Sequence, residues 1–195
     1  MVFLFTLMAA VFAADVQDGD IIFHTSRSAQ SEAIALATDS ALTHVGIITI
    51  EDGRALVVEA VQPVKVTPLT TWIARGVGGK YRLMRPKKPL NSRQVRAMRQ
   101  EGRKHLGKHY DLRFEWSDDR MYCSELVWKI YQEGAGIELA KLRPMDSYRL
   151  GHPKVRALIA KRWGSGLDWK SPMVAPSDLA ESTLLQVVSD TTQRR

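Results

Sequence analysis

Apolar positions along the chain follow two periods, and the switch between them divides the sequence into elements. Asp18-Gly19-Asp20 before Ile21-Ile22-Phe23 reads as a turn feeding a short buried strand. Over 28–38, Ala29, Ala33, Ile34 and Ala37 share one side, which predicts a helix with Ser28 as its N-cap. Residues 44–50 and 55–60 are β-branched runs joined through Asp52-Gly53, the strongest short-range hairpin signal. A strand over 64–67, a short helix over 70–75 and a strand over 80–84 follow, the last closed by Pro86 and Pro89. A surface helix is predicted over 91–106 from Val95, Met98 and Leu106 among many charges. A second amphipathic helix covers 122–133, with Cys123, Leu126, Val127 and Ile130 at helical spacing and Gly134 and Gly136 to end it. Farther on, 155–163 reads as a helix, 164–176 as a loop, 177–182 as one helical turn and 184–188 as a final strand. The fold class is therefore α+β, with a central, mostly antiparallel sheet packed against helices.

Composition narrows the functional classes. With 195 residues, 45% hydrophobic and 25% charged, the chain can bury one sizeable core, which excludes intrinsic disorder. A single cysteine, Cys123, excludes an internal disulfide. The net charge of +7 suits anionic partners. No Lys/Arg run exceeds two residues and aromatics are not interleaved with bases, so nucleic acid is not an expected partner. Residues 1–13 form an uncharged apolar run ending in small residues, the pattern of a secretory signal peptide, with a single domain over 14–195. Export to the periplasm or cell envelope is the expectation. No stable transmembrane anchor is expected, since the run is too short to span a bilayer.

Candidate chemistry begins at Cys123. It falls in the first turn of its helix, where the dipole and free backbone N–H groups favour a thiolate. By position alone, a buried structural cysteine fits equally well. The hairpin adds a base. A two-residue turn at Asp52-Gly53 pairs Ile50 with Ala55 and Gly46 with Glu59, which puts His44 and Glu59 on one sheet face as diagonal neighbours about 7 Å apart. Gly46, opposite Glu59, would leave room for the imidazole to lean, and a one-residue slip would separate the pair onto opposite faces. Nucleophilic catalysis by a thiol needs a base and an acceptor to orient that base, and Cys123, His44 and Glu59 are residues of those three types. A buried His–Glu pair satisfying itself is the alternative. His105 and His109 are four apart, but Gly107 between them and the lack of a third ligand favour surface histidines over a metal pair. His24 reads as a polar or partly buried residue, and Trp116 as a wall of the cleft.

Thr43-His44-Val45-Gly46, Val58-Glu59-Ala60 and Tyr122-Cys123-Ser124-Glu125-Leu126-Val127, in this order, resemble the permuted papain-like amidases of the YiiX/YaeF group, relatives of the NlpC-type cell-wall peptidases. Gly19-Asp20-Ile21-Ile22-Phe23 and Gly107-Lys108-His109-Tyr110-Asp111 fit the same group, except that His109 stands where the family element has proline. The resemblance is dense over 18–133 and thins afterwards, apart from Pro176-Ser177-Asp178-Leu179. It implies a permuted papain-like fold with the nucleophile at a helix N-terminus. It further implies Cys123 as nucleophile, His44 as general base and then acid, Glu59 as the residue orienting His44, and Tyr110 near the oxyanion site. Asp111, Ser124 and Glu125 also match, as structural or substrate-lining residues. No metal or organic cofactor is implied.

Three functions follow. The first is an exported thiol amidase or peptidase acting on a peptide or peptidoglycan-derived substrate through a thioester acyl-enzyme. The second is a lipid-directed thiol acyltransferase or esterase with the same catalytic residues. Such an enzyme would want an exposed apolar face or a membrane anchor, and the sequence beyond residue 13 displays neither. The third is a non-catalytic envelope-binding module, which would tolerate loss of the thiol.

Overall fold

The computed structural model describes residues 16–193, so the signal-peptide segment lies outside the described residues. Six strands make one sheet in the order β10-β5-β1-β2-β3-β4, each neighbouring pair antiparallel. They are β1 (Ile21–His24), β2 (His44–Glu51), β3 (Arg54–Glu59), β4 (Lys65–Pro68), β5 (Arg82–Pro86) and β10 (Leu185–Asp190). The short strands β6 (His109–Tyr110) and β7 (Arg120–Met121) pair in parallel, and β8 (Arg143–Pro144) pairs with β9 (Pro172–Met173). The helices are α1 (Ser31–Thr38), α2 (Leu69–Arg75), α3 (Ser92–His105), α4 (Cys123–Lys129), α5 (Pro153–Trp163) and α6 (Pro176–Ala180), with α4 running on into a π-helical turn, Ile130–Ala135. This is the expected α+β arrangement. Among the described residues no helix is long and apolar enough to cross a membrane.

The β2–β3 hairpin fixes what matters for the site. Asp52 and Gly53 both take positive φ, 49° and 71°, as a type I′ turn requires. The register is Ile50 with Ala55, Ile48 with Val57 and Ile47 with Val58, as the turn predicts. Odd and even positions thus face two separate cores. Phe23, Val45 and Ile47 pack with Leu126, Val127 and Ile130 of α4, whereas Ile22, Ile48 and Val57 pack beneath Trp72 of α2. Gly46 serves the hairpin itself. A Cβ there would stand 2.4 Å from Val57 Cγ1 and 2.9 Å from the Val58 carbonyl oxygen, so the missing side chain makes room for the neighbouring strand, not for the imidazole.

The helix ends correct several expectations. α1 begins at Ser31 and not at 28, and its N-cap Gln30 makes no side-chain capping bond. The side-chain amide of Gln30 is instead bonded to Tyr110 and Arg162. α3 begins as expected, with a reciprocal bond between Asn91 and Gln94. Its apolar face is narrower than predicted, because Leu106 is exposed while His105 is buried against Glu101 at 3.3 Å. The surface reading of His105 is therefore wrong. Lys108 Nζ lies 3.1 Å from its Nδ1, while the buried Nε2 faces the Glu101 carboxylate without a hydrogen bond to it.

Gly136 ends the π turn in the left-handed region, whereas Gly134 lies within that turn and has a packing role. A Cβ on Gly134 would sit 2.6 Å from Met98 Cα, where α3 crosses. Backbone cannot yield as a flexible side chain can, so Gly134→Ala is expected to cost about 1–3 kcal/mol by overpacking and to lower Tm by about 3–10 °C. A thermal melt followed by far-UV circular dichroism measures this, and an unchanged Tm would mean that α3 moves freely against the turn.

Candidate active site

Four elements converge at the upper end of β2. Cys123 is the first residue of α4, just after the extended cap Tyr122, and is almost fully buried. The His44 side chain, the Tyr110 hydroxyl and the Val45 backbone N–H all act on its thiol to lower its pKa. His44 Nε2 lies 2.8 Å from Glu59 Oε2, which leaves Nδ1 as the ring nitrogen that faces the thiol. The structure therefore brings together Cys123, His44, Glu59 and Tyr110, drawn from α4, β2, β3 and β6.

Electrostatics follow from this geometry. Burial alone would lower the His44 pKa, but hydrogen bonds to Cys123 and Glu59 and the charges of both raise it to about 9. Burial pushes the Cys123 thiol up, yet the hydrogen bond and charge of His44, with Tyr110 and Val45, hold it below the ordinary value. Both shifts favour a thiolate–imidazolium pair. Burial and then the charge of Cys123 push the Tyr110 phenol well up, so the hydroxyl keeps its proton and donates to the sulfur.

Sequence reasoning missed the groups that hold the acceptor in place. Glu59 is fully buried, and Thr67 Oγ1 donates to its Oε1 at 2.6 Å. Arg75, the last residue of α2, bonds both carboxylate oxygens through Nη2, at 2.6 Å on Oε2. Burial alone would raise the Glu59 pKa, but His44, Thr67 and Arg75 bring it down to about 2. His24 pairs with His44 across β1–β2, and its ring stacks on Trp72 at 3.9 Å. Burial first, then the charges of His44 and Arg75, lower its pKa to about 3, so His24 stays neutral beside the imidazolium. Alternation within β1 already placed His24 on one face with Ile22; pairing β1 with β2 was the step that would have found it.

Tyr110 has its own support. Arg162 Nη2 donates to Gln30 Oε1 at 2.7 Å, and Gln30 Nε2 donates to the Tyr110 oxygen at 2.9 Å. The loop carrying Gln30 is tied to β2 through Thr43, which accepts from Ser26 N at 2.8 Å and meets Ser31 Oγ at 2.7 Å. The family-matching residues Asp111, Ser124 and Glu125 are all buried away from solvent. Asp111 accepts from the Arg113 N–H at 2.8 Å, Ser124 donates to the Val174 carbonyl at 2.8 Å, and Glu125 meets Lys129 at 2.9 Å. Trp116 does not wall the cleft; it packs edge-on to Trp128 at 5.2 Å, under Lys129. His109 donates no metal pair with His105: it lies at the surface beside Gln62 Nε2 at 2.5 Å, on a different element.

Two cavities flank the site, one lined by His44 and Tyr110 and the other by Cys123. One is an open cleft of about 730 Å³ bordered by His44, Tyr110, Gln30 and Gln62, with Arg27, Arg75 and Arg162 at its rim. The other, about 80 Å³, lies behind the cysteine between α1 and α5.

A family model described as permuted papain-like amidase enzyme, YaeF/YiiX, C92 family, matches residues 15–189. The protein YiiX of Escherichia coli strain K12, described as uncharacterized, is 41% identical over 178 residues, 91% of this chain and 88% of its own. A crystal structure of yiiX from Escherichia coli O157:H7, there described as a metalloprotein, has a TM-score of 0.88 at 40% identity, covering 90% of this chain and 98% of that one. Among the described residues no three His, Cys, Asp or Glu side chains are grouped as a metal would need. The oxygens of Glu59 are already taken by His44, Thr67 and Arg75, so this donor set does not fit a metal at the cysteine.

Proposed function

Since the chain belongs to the permuted papain-like amidases of the YaeF/YiiX group, we propose that it is a cysteine hydrolase that cleaves amide bonds through a thioester on Cys123. The observation that carries this reading is the buried thiol at a helix start, its pKa lowered by an imidazole that is itself fixed by a fully buried carboxylate. The thiolate attacks the substrate carbonyl carbon. Backbone N–H groups at the start of α4 and the Tyr110 hydroxyl hold the developing oxyanion, the arrangement in which preorganised donors contribute most. The His44 imidazolium gives its proton to the amine nitrogen as the C–N bond breaks. Neutral His44 then takes a proton from water, the hydroxide attacks the thioester, and the acid departs with the thiolate restored. Glu59 and Arg75 keep the ring in place throughout and do not exchange protons.

The proposal extends to place and substrate. Residues 1–13 support export to the periplasm or cell envelope, and the positive balance of the chain supports cell-wall peptides rich in carboxylates.

The deciding experiment follows Cys123 alkylation by iodoacetamide against pH. An ordinary thiol titrates near about 8.5, whereas activated ones fall to roughly 3.5–7.5. Native protein is expected to react with a midpoint well below the ordinary value, and His44→Ala to return the midpoint toward it. An ordinary midpoint in both proteins would sink the enzyme reading and leave an envelope-binding module.

A further inference from the structure

The two cavities beside the site differ in chemistry: Cys123 is in the wall of the smaller, and His44 and Tyr110 border the larger. The exposed lining of the smaller one is wholly apolar, formed by Ile34 of α1, Phe114, Leu158, Ile159 and Trp163 of α5, and Val174, with Cys123 in its wall. The cleft on the other side has three arginines among its lining residues and, among the described residues, neither Asp nor Glu. Arg162 is the partition. Its guanidinium lies 5.6 Å from the Phe114 ring, while its nitrogens donate to the neutral oxygens of Gln30 and, at 2.8 Å, Leu112. Helix α5 thus supplies Leu158, Ile159 and Trp163 to one cavity and Arg162 to the other.

An amide bond has two ends, and the chemistry assigns them. The acyl end stays on sulfur, and the amine end leaves with a proton from His44. Because His44 and Tyr110 line the cationic cleft, the amine end departs there and the acyl end points into the apolar cavity. We propose that this site hydrolyses amides of short apolar acyl groups with amines that carry a carboxylate or phosphate. This rests on Cys123 being the nucleophile. A cavity of about 150 Å³ holds benzene, so the void of about 80 Å³ here takes an alkyl group of roughly three or four carbons and not a long fatty chain. A short alkanoyl group joined to an acidic amino acid has this pattern; a long-chain lipid does not. The balanced reaction is amide plus water giving carboxylic acid plus amine, with the C–N bond broken and an S–C bond made and then broken.

The test uses N-acetyl, N-butyryl and N-dodecanoyl conjugates of glutamate, and N-butyryl glutaminamide, which has no carboxylate, with amine release measured by a fluorogenic amine reagent. Butyryl glutamate is expected to have the highest kcat/KM, at least tenfold above dodecanoyl glutamate and about tenfold above butyryl glutaminamide. Leu158→Trp, which fills the cavity, is expected to lower the butyryl-to-acetyl ratio at least tenfold. Arg27→Gln, at the exposed rim, is expected to erase most of the glutamate-to-glutaminamide ratio. A rate indifferent to acyl length and charge, or highest for dodecanoyl, overturns the proposal. So does failure to cleave any conjugate by protein whose Cys123 is still rapidly alkylated at low pH. If rapid alkylation is itself absent, the nucleophile reading fails, and with it this one.

Discussion

Replacing Cys123 with alanine is expected to lower kcat/KM toward a cleavable amide by about 10⁴-fold or more, the scale seen when a triad nucleophile is removed. The fold should survive, because the side chain is small and sits among Phe23, Val45 and Leu126 in the helix-side core. A second readout tests whether thiol and imidazole share a proton. His44 titrates near 9 in the folded protein, above its ordinary 6.5, so its contribution to stability is complete below pH 6.5 and is lost as pH rises through 9. Cys123 is shifted downward, so its contribution is lost as pH falls and grows toward the ordinary thiol value. In the intact protein the two trends oppose each other, because the proton leaving the thiol is the one held by the imidazole. Free energies of unfolding in urea should therefore be nearly level from pH 6.5 to 9. In the alanine variant Cys123 no longer raises the His44 pKa, so the imidazole should lose its proton at a lower pH than in the intact protein, as followed by NMR of the ring. An unchanged His44 titration in the variant would show that the two groups titrate independently.

Removing the cation from Glu59 is the largest expected blow to stability. Arg75→Leu leaves a fully buried carboxylate with His44 and Thr67 as its remaining partners. Breaking a buried pair costs about 3–5 kcal/mol in general. The Arg75 side chain is 38% exposed, so solvent screening reduces the expectation to about 2–3 kcal/mol. The pH dependence has a definite sign. The Glu59 pKa is lowered from 4.5 to about 2, so its contribution is present above pH 4.5 and lost as pH falls through 2. Without Arg75 the carboxyl titrates higher, and acid unfolding should begin at a higher pH than in the native protein. Adding Glu59→Gln to Arg75→Leu removes the uncompensated charge and should restore part of the loss at neutral pH. No recovery in the double variant would mean that Arg75 acts through packing and not through charge.

Local rules made the hairpin legible. Asp52-Gly53 specifies a turn whose geometry leaves one register, and that register alone puts His44 and Glu59 on one face. Arg75 was not legible, because a charged residue ending a short helix looks solvated until α2 is known to cross the sheet above Glu59. Gln30 and Arg162 are 132 residues apart, and no periodicity connects them. Trp116 was misplaced because a large aromatic beside a catalytic helix fits a cleft wall and a rear packing face equally well. His105 was misread because its charged helix looked solvent-facing, whereas Glu101 one turn earlier lets the ring be buried.

The order of strands has a consequence for how the surroundings of Cys123 form during synthesis. β1 is hydrogen-bonded to β2 and β5, and β5 in turn to β10, whose Leu185 pairs with Pro86. Pairings of such long sequence separation form slowly and late, because the loop they close must be ordered before any contact rewards it. Gln30 and Tyr110 likewise await Arg162 on α5. A growing chain therefore holds Cys123 and the residues that act on its thiol before Arg162 arrives to fix Gln30 and Tyr110. The surroundings of the thiol are completed only in the finished molecule, so a ribosome-bound chain halted before α5 should be alkylated more slowly than the complete protein.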